Sequence, residues 1–81
     1  MSAREQCPED GIGRRIYALR QKHGMTQAEL SEMLYNRGSP AYTVLSIDLW
    51  EQGKKRPRVK TIKILSEIFN VSVNYIINGE T

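Results

Sequence analysis

The run Thr26-Gln27-Ala28-Glu29, followed at once by Leu30 and Leu34, marks a helix start that the rest of the chain must accommodate. The Thr26 hydroxyl can accept from the backbone N–H of Glu29, while the Glu29 carboxylate reaches back to the N–H of Thr26. Two of the orphan donors of a helix N-terminus are thereby satisfied. Met25 and Leu30 fall at the positions of a hydrophobic staple, and Leu30 with Leu34 forms an apolar ridge one turn apart. Ser31 is small enough to let another helix approach closely. From Tyr35 to Tyr42 the pattern breaks, because Gly38, Ser39 and Pro40 are turn residues through which a helix does not pass. Two restarts are open: Ser39 as N-cap with Pro40 at the first helical position, or Thr43 as N-cap one turn later. We place the start near Thr43. The segment that follows carries Ile47 and Trp50 inward and stops at Gly53, a residue suited to a left-handed cap.

The flanking sequence supplies three more helices. Ile12, Ile16 and Leu19 are spaced to share one helical face. Glu9 and Asp10 before them and Lys22 and His23 after them complement the helix dipole, with Gly24 as the stop. His23 reads as a helix-end residue rather than as a ligand or a base. Past the second pair of helices, Val59, Ile62, Leu65, Ser66 and Phe69 repeat the amphipathic rhythm, with Pro57 and its loop setting the start and Asn70 the end. Ser72 can cap a last helix whose stripe is Val73, Ile76 and Ile77 before Asn78-Gly79. Val71 to Ile77 is rich in β-branched residues, but no alternating pattern elsewhere offers it a strand partner. The fold class is therefore all-α, a compact five-helix bundle.

At 81 residues the chain reads as one domain over residues 1–81, with residues 1–9 a flexible leader. A chain of this size buries roughly 60% of its unfolded surface around one core. No apolar run approaches the ~18 residues of a membrane span, and MSAREQCPED lacks the basic-then-hydrophobic order of a signal peptide. A cytoplasmic location is expected. Cys7 is a single thiol and cannot form an internal disulfide, and with one histidine it is too little for a metal site. No cofactor and no metal are expected. An enzyme is disfavoured as well: there is no paired histidine and carboxylate, no Cys/His pair, no glycine-rich phosphate loop and little room for a pocket. RNA binding lacks the aromatic array of a stacking platform.

The formal charge of +3 is modest, but half of the 12 lysines and arginines are Lys54, Lys55, Arg56, Arg58, Lys60 and Lys63, with no acid among them. A solvated surface loop is the bland reading of such a run. A phosphate-binding edge is the sharper one, because clustered cations attract a polyanion and release its counterions on contact.

Five short helices with the second and third joined by a turn form a helix-turn-helix arrangement. IGRRIYALRQKHGMTQAELSEML, LWEQGKKRPR and LSEIFNVSVNYIINGE together resemble the Cro/C1-type (XRE) family of phage and bacterial repressors, from Ile12 to Gly79. TQxEL alone is a weak signal; TQxEL, WExGxxxP and VSVxYIIxG in this order are specific. The resemblance implies a lambda-repressor-like bundle that binds double-stranded operator DNA as a homodimer and represses transcription by occupying the site, in the cytoplasm at the nucleoid. It also implies roles for matching residues. Gln27 resembles a glutamine that contacts a DNA phosphate, which suits an amide at a helix N-terminus; its plainer role is to extend a capped helix. Gln52, Lys55, Arg56 and Arg58 stand where the family makes a second set of backbone contacts, with Arg58 placed to reach a narrow minor groove. Arg20 and Glu51 resemble an internal ion pair that sets the angle of the third helix, and Trp50 a core position.

The chain departs from the family between Leu34 and Trp50, which is about a helical turn longer than usual, with Tyr35 where a glycine often stands. The positions that face bases become Thr43, Val44, Leu45, Asp48 and Leu49. Three of these five are aliphatic where polar readers are usual. Three readings stay open. The site is A·T-rich and read through thymine methyls; or Asn36, Arg37 or Tyr42 of the bridge supply the readers; or the third helix is covered by the bridge or by another subunit. The last turns the domain toward a protein partner, as an antitoxin-like or anti-repressor module would be.

Overall fold

Each helix boundary follows from local chemistry, and the boundaries decide what faces inward. In the computed structural model, which describes residues 11–79, the order is α1 (Ile12–Lys22), α2 (Gln27–Asn36), α3 (Val44–Glu51), α4 (Val59–Phe69) and α5 (Val73–Asn78). Among the described residues there is no strand, and no helix is long and apolar enough to cross a membrane. The leader expected over residues 1–9, with Cys7, and the acids Glu9 and Asp10 lie outside the described residues.

The start of α2 is a complete capping box: Glu29 N–H donates to Thr26 Oγ1 at 3.0 Å and Thr26 N–H to Glu29 Oε1 at 2.8 Å. Its end is set by Gly38, whose φ of +79° lets the N–H of Ser39 return to the carbonyl of Leu34 at 3.0 Å. The glycine absent at Tyr35 is thus supplied three residues later. Of the two possible restarts, Thr43 is the one that forms, its Oγ1 accepting from Ser46 N–H at 3.1 Å. Ser39 does not cap a helix. It is buried, with its hydroxyl 2.6 Å from the carbonyl of Ala41 and 3.3 Å from Thr61 Oγ1, which fastens the bridge to α4.

The core is drawn from all five helices: Ile12, Ile16 and Leu19; Leu30 and Leu34; Ile47 and Trp50; Ile62, Ile64, Leu65 and Phe69; and Ile76. α3 lies between α1 and α2, while α4 packs on α2 and α5, and α5 returns to α1. Val59 does not belong to the inward stripe of α4. As the first residue of the helix it projects past the packed region and stays 65% exposed, and the buried face is completed instead by Thr61 and Ile64.

Two contacts fix how α1 meets its neighbours. A Cβ on Gly13 would lie 1.7 Å from the carbonyl oxygen of Trp50, so α1 and the end of α3 touch backbone to backbone. Arg15 closes the other side: its Nε and Nη2 donate to the carbonyls of Ile76 and Ile77 at 2.7 and 2.6 Å, capping α5 from a distant part of the chain.

Candidate nucleic-acid interface

The surface that contains the residues singled out above is built outward from a buried ion pair. Arg20 on α1 donates through Nε and Nη2 to the two carboxylate oxygens of Glu51 at 2.7 and 2.9 Å. Both residues are buried. A third guanidinium nitrogen, Nη1, reaches the carbonyl of Met25 at 3.0 Å, and the Tyr17 ring lies 5.3 Å from Cζ. The hydrogen bond that Arg20 donates to Glu51 holds the Arg20 pKa above the ordinary arginine range, against the opposing effect of burial. A raised value means that this stabilisation is complete below the ordinary arginine range and is lost only as the pH rises through the raised one. Arg20 therefore adds no pH dependence near neutrality. The fork joins α1, the α1–α2 turn and the last residue of α3, as a bidentate guanidinium can.

Gln27, the first residue of α2, extends this network across to α3. Its Nε2 donates to Glu51 Oε1 at 3.0 Å and to Asp48 Oδ1 at 3.2 Å. Two carboxylates facing the same nitrogen dictate that orientation, since the amide oxygen there would meet only acceptors. Gln52 donates to the other Asp48 oxygen, Oδ2. Three of the predicted DNA contacts, Gln27, Asp48 and Gln52, are thus brought together and bonded to one another. With both amide hydrogens engaged, the Gln27 side chain can offer a further partner only an acceptor. The capping box leaves the backbone N–H groups of Gln27 and Ala28 as the first-turn donors of α2 that it does not use.

At the other end of α3, Thr43 Oγ1 donates to Ser46 Oγ at 3.0 Å as well as capping the helix. Val44 is 42% exposed and Leu45 67%, while Leu49 is half-buried. The bridge does not cover this face, because it is drawn toward α2. Ser31 donates to the Tyr42 carbonyl, and Tyr35 and Tyr42 meet edge to face with ring centres 5.0 Å apart. Arg37 turns toward Glu67 of α4, at 3.7 Å.

Beyond α3 the chain turns sharply, with Lys54 N–H bonded to the carbonyl of Leu49 at 2.9 Å. Pro57 is buried and anchors the loop, so that Lys54, Lys55, Arg56 and Arg58 stand exposed on either side of it. Lys60 and Lys63 continue the exposed basic edge along α4.

Several residues that shape this surface escape a reading of the chain alone. Gly13 left a signal, an isolated glycine inside a helical pattern, which often marks a close backbone approach. Arg15 and the Gln27–Asp48 bond left none, since their partners are distant in sequence.

A family model described as helix-turn-helix matches residues 16–76. The HTH-type transcriptional activator BcrR of Enterococcus faecalis is similar too, 30% identical over 66 residues that make up 82% of this chain and 29% of that protein. The chain thus spans less than a third of that relative's length.

Proposed function

Because the chain belongs to the Cro/C1-type helix-turn-helix family, we propose that it binds double-stranded DNA at specific sequences and regulates transcription. The observation that carries this reading is the exposed edge Lys54, Lys55, Arg56, Arg58, Lys60 and Lys63, which continues directly from the end of α3. Lys55, Arg56 and Arg58 contact phosphates along one strand, with Arg58 reaching toward the minor groove. At the start of α2 the phosphate is held by the backbone N–H groups of Gln27 and Ala28, because the Gln27 amide is engaged with Asp48 and Glu51. Gln52 keeps one amide hydrogen for the backbone. The Arg20–Glu51 pair sets the angle at which α3 enters the major groove.

Repression by operator occupancy is the mechanism we infer: a bound domain blocks polymerase sterically. The activator named above makes a positive effect the natural second outcome, decided by where the site lies in a promoter. The protein acts in the cytoplasm at the nucleoid, as a homodimer on DNA. Its Cα trace spans 32 × 26 × 22 Å, and the half-sites of such a dimer stand one helical turn, about 34 Å, apart. A second reading, a module that docks on another protein, draws support from the exposure of Tyr35, Val44 and Leu45.

Selection of bound duplexes from a random library tests the proposal. The expected product is a two-fold symmetric site with half-sites one turn apart. Enrichment of no sequence over the starting pool contradicts specific binding and favours the protein-docking reading.

A further inference from the structure

We infer that α3 reads its DNA site through the C5 methyl groups of thymine, contacted by Val44 and Leu45, and not through hydrogen bonds to base edges. This rests on the DNA-binding reading above and names the chemistry of the site.

The polar side chains at the two ends of α3 that could read bases, Asp48 and the capping Thr43, are already engaged. Both Asp48 oxygens accept from glutamine amides, Oδ1 from Gln27 and Oδ2 from Gln52. Thr43 Oγ1 accepts from the Ser46 N–H and donates to the Ser46 hydroxyl. From the bridge, Arg37 lies 3.7 Å from Glu67 and the Tyr42 ring and carbonyl are held by Tyr35 and Ser31, while Asn36 is exposed on the last turn of α2. What α3 offers at its N-terminal end is aliphatic, with Val44 42% and Leu45 67% exposed.

Exposed aliphatic groups at this place match one feature of the major groove. Each base pair there presents donors and acceptors, and the thymine methyl is the apolar group among them. The surrounding charge says that the occupant is a polyanion. α3 has 8 residues and is about 12 Å long, comparable to the width of the major groove. With Val44 and Leu45 at one end of α3 in the groove, the basic loop at its other end falls on the flanking phosphates.

The test substitutes the DNA and leaves the protein intact. A site selected from an unmethylated library, in which thymine is the one pyrimidine with a C5 methyl, is remade with deoxyuridine in place of thymidine, one position at a time. Uracil keeps every hydrogen-bonding group of thymine and lacks the methyl. Affinity is expected to fall about four-fold per contacted methyl, the transfer free energy of one methylene-sized group expressed as an affinity ratio. Leu45→Ala is expected to remove the difference at one such position; Leu45 is exposed, so its truncation leaves no cavity. Equal affinity for the thymine and uracil duplexes, with salt-dependent and sequence-selective binding retained, overturns the methyl reading alone. Absence of salt-dependent duplex binding overturns the DNA-binding reading as well.

Discussion

At Gly13 a single missing Cβ decides how closely two helices approach. Alanine is the better helix former by about 1 kcal/mol, so on propensity alone Gly13→Ala should stabilise α1. The added methyl, however, meets the carbonyl oxygen of Trp50 at 1.7 Å, a backbone atom that no side-chain rotation can clear. Overpacking of this kind costs about 1–3 kcal/mol, and more where backbone must move. A thermal melt of Gly13→Ala is therefore expected to show a midpoint several degrees below the wild type; a higher midpoint would mean that α1 and α3 are not in backbone contact. Gln27 makes the opposite point, that a residue's place can be legible while its partner is not. Its position at the first turn of a capped helix is written in TQAEL. That its amide faces Asp48 and Glu51, 21 and 24 positions away, depends on the crossing of α2 and α3, for which no local pattern exists.

The five helices themselves were legible because their ends are chemically marked. Thr26, Thr43 and Ser72 each cap a start, Gly24, Gly38 and Gly53 follow an end, and apolar spacing supplies the inner faces. The bridge between α2 and α3 was legible only as an interruption. Ser39-Pro40 and Thr43 both offer a start in sequence, and the one favoured there, Thr43, is the one that forms, while the Ser39 hydroxyl is engaged with Ala41 and Thr61. Val59 shows the limit of periodicity from the other side: spacing places it on the stripe of α4, but the helix begins outside the packed region. Between elements, the Arg20–Glu51 fork locks α1 to α3. Glu51→Gln leaves a buried guanidinium without its counter-charge and is expected to lower unfolding free energy by about 3–5 kcal/mol in urea titrations. Replacing both partners, Arg20→Met with Glu51→Leu, is expected to restore most of that stability while DNA affinity stays reduced, because α3 no longer holds its angle. Wild-type affinity in the double variant would remove the orienting role.

Among the described residues, Val44 and Leu45 stand apart from the basic run, while the exposed Val59 lies within it. The core draws on every helix, the exposed basic run lies along one edge from Lys54 to Lys63, and exposed aliphatic groups stand at the opposite end of α3. The basic run was visible in the sequence as a cluster, but whether it lay on a surface, and beside which helix, required the fold. A charged edge of this kind predicts more about salt than about bases, since each phosphate neutralised contributes about −0.9 to the slope of log affinity against log salt. Titration of labelled duplex DNA at several salt concentrations, for the wild type and for Arg56→Ala with Arg58→Ala, is the most direct measurement of whether this domain docks on DNA. Per bound protomer, the wild-type slope is expected to be about −3 to −5, and shallower by about 2 in the double variant, with all duplexes weakened alike. Binding that does not respond to salt, or no binding at low ionic strength, would contradict it.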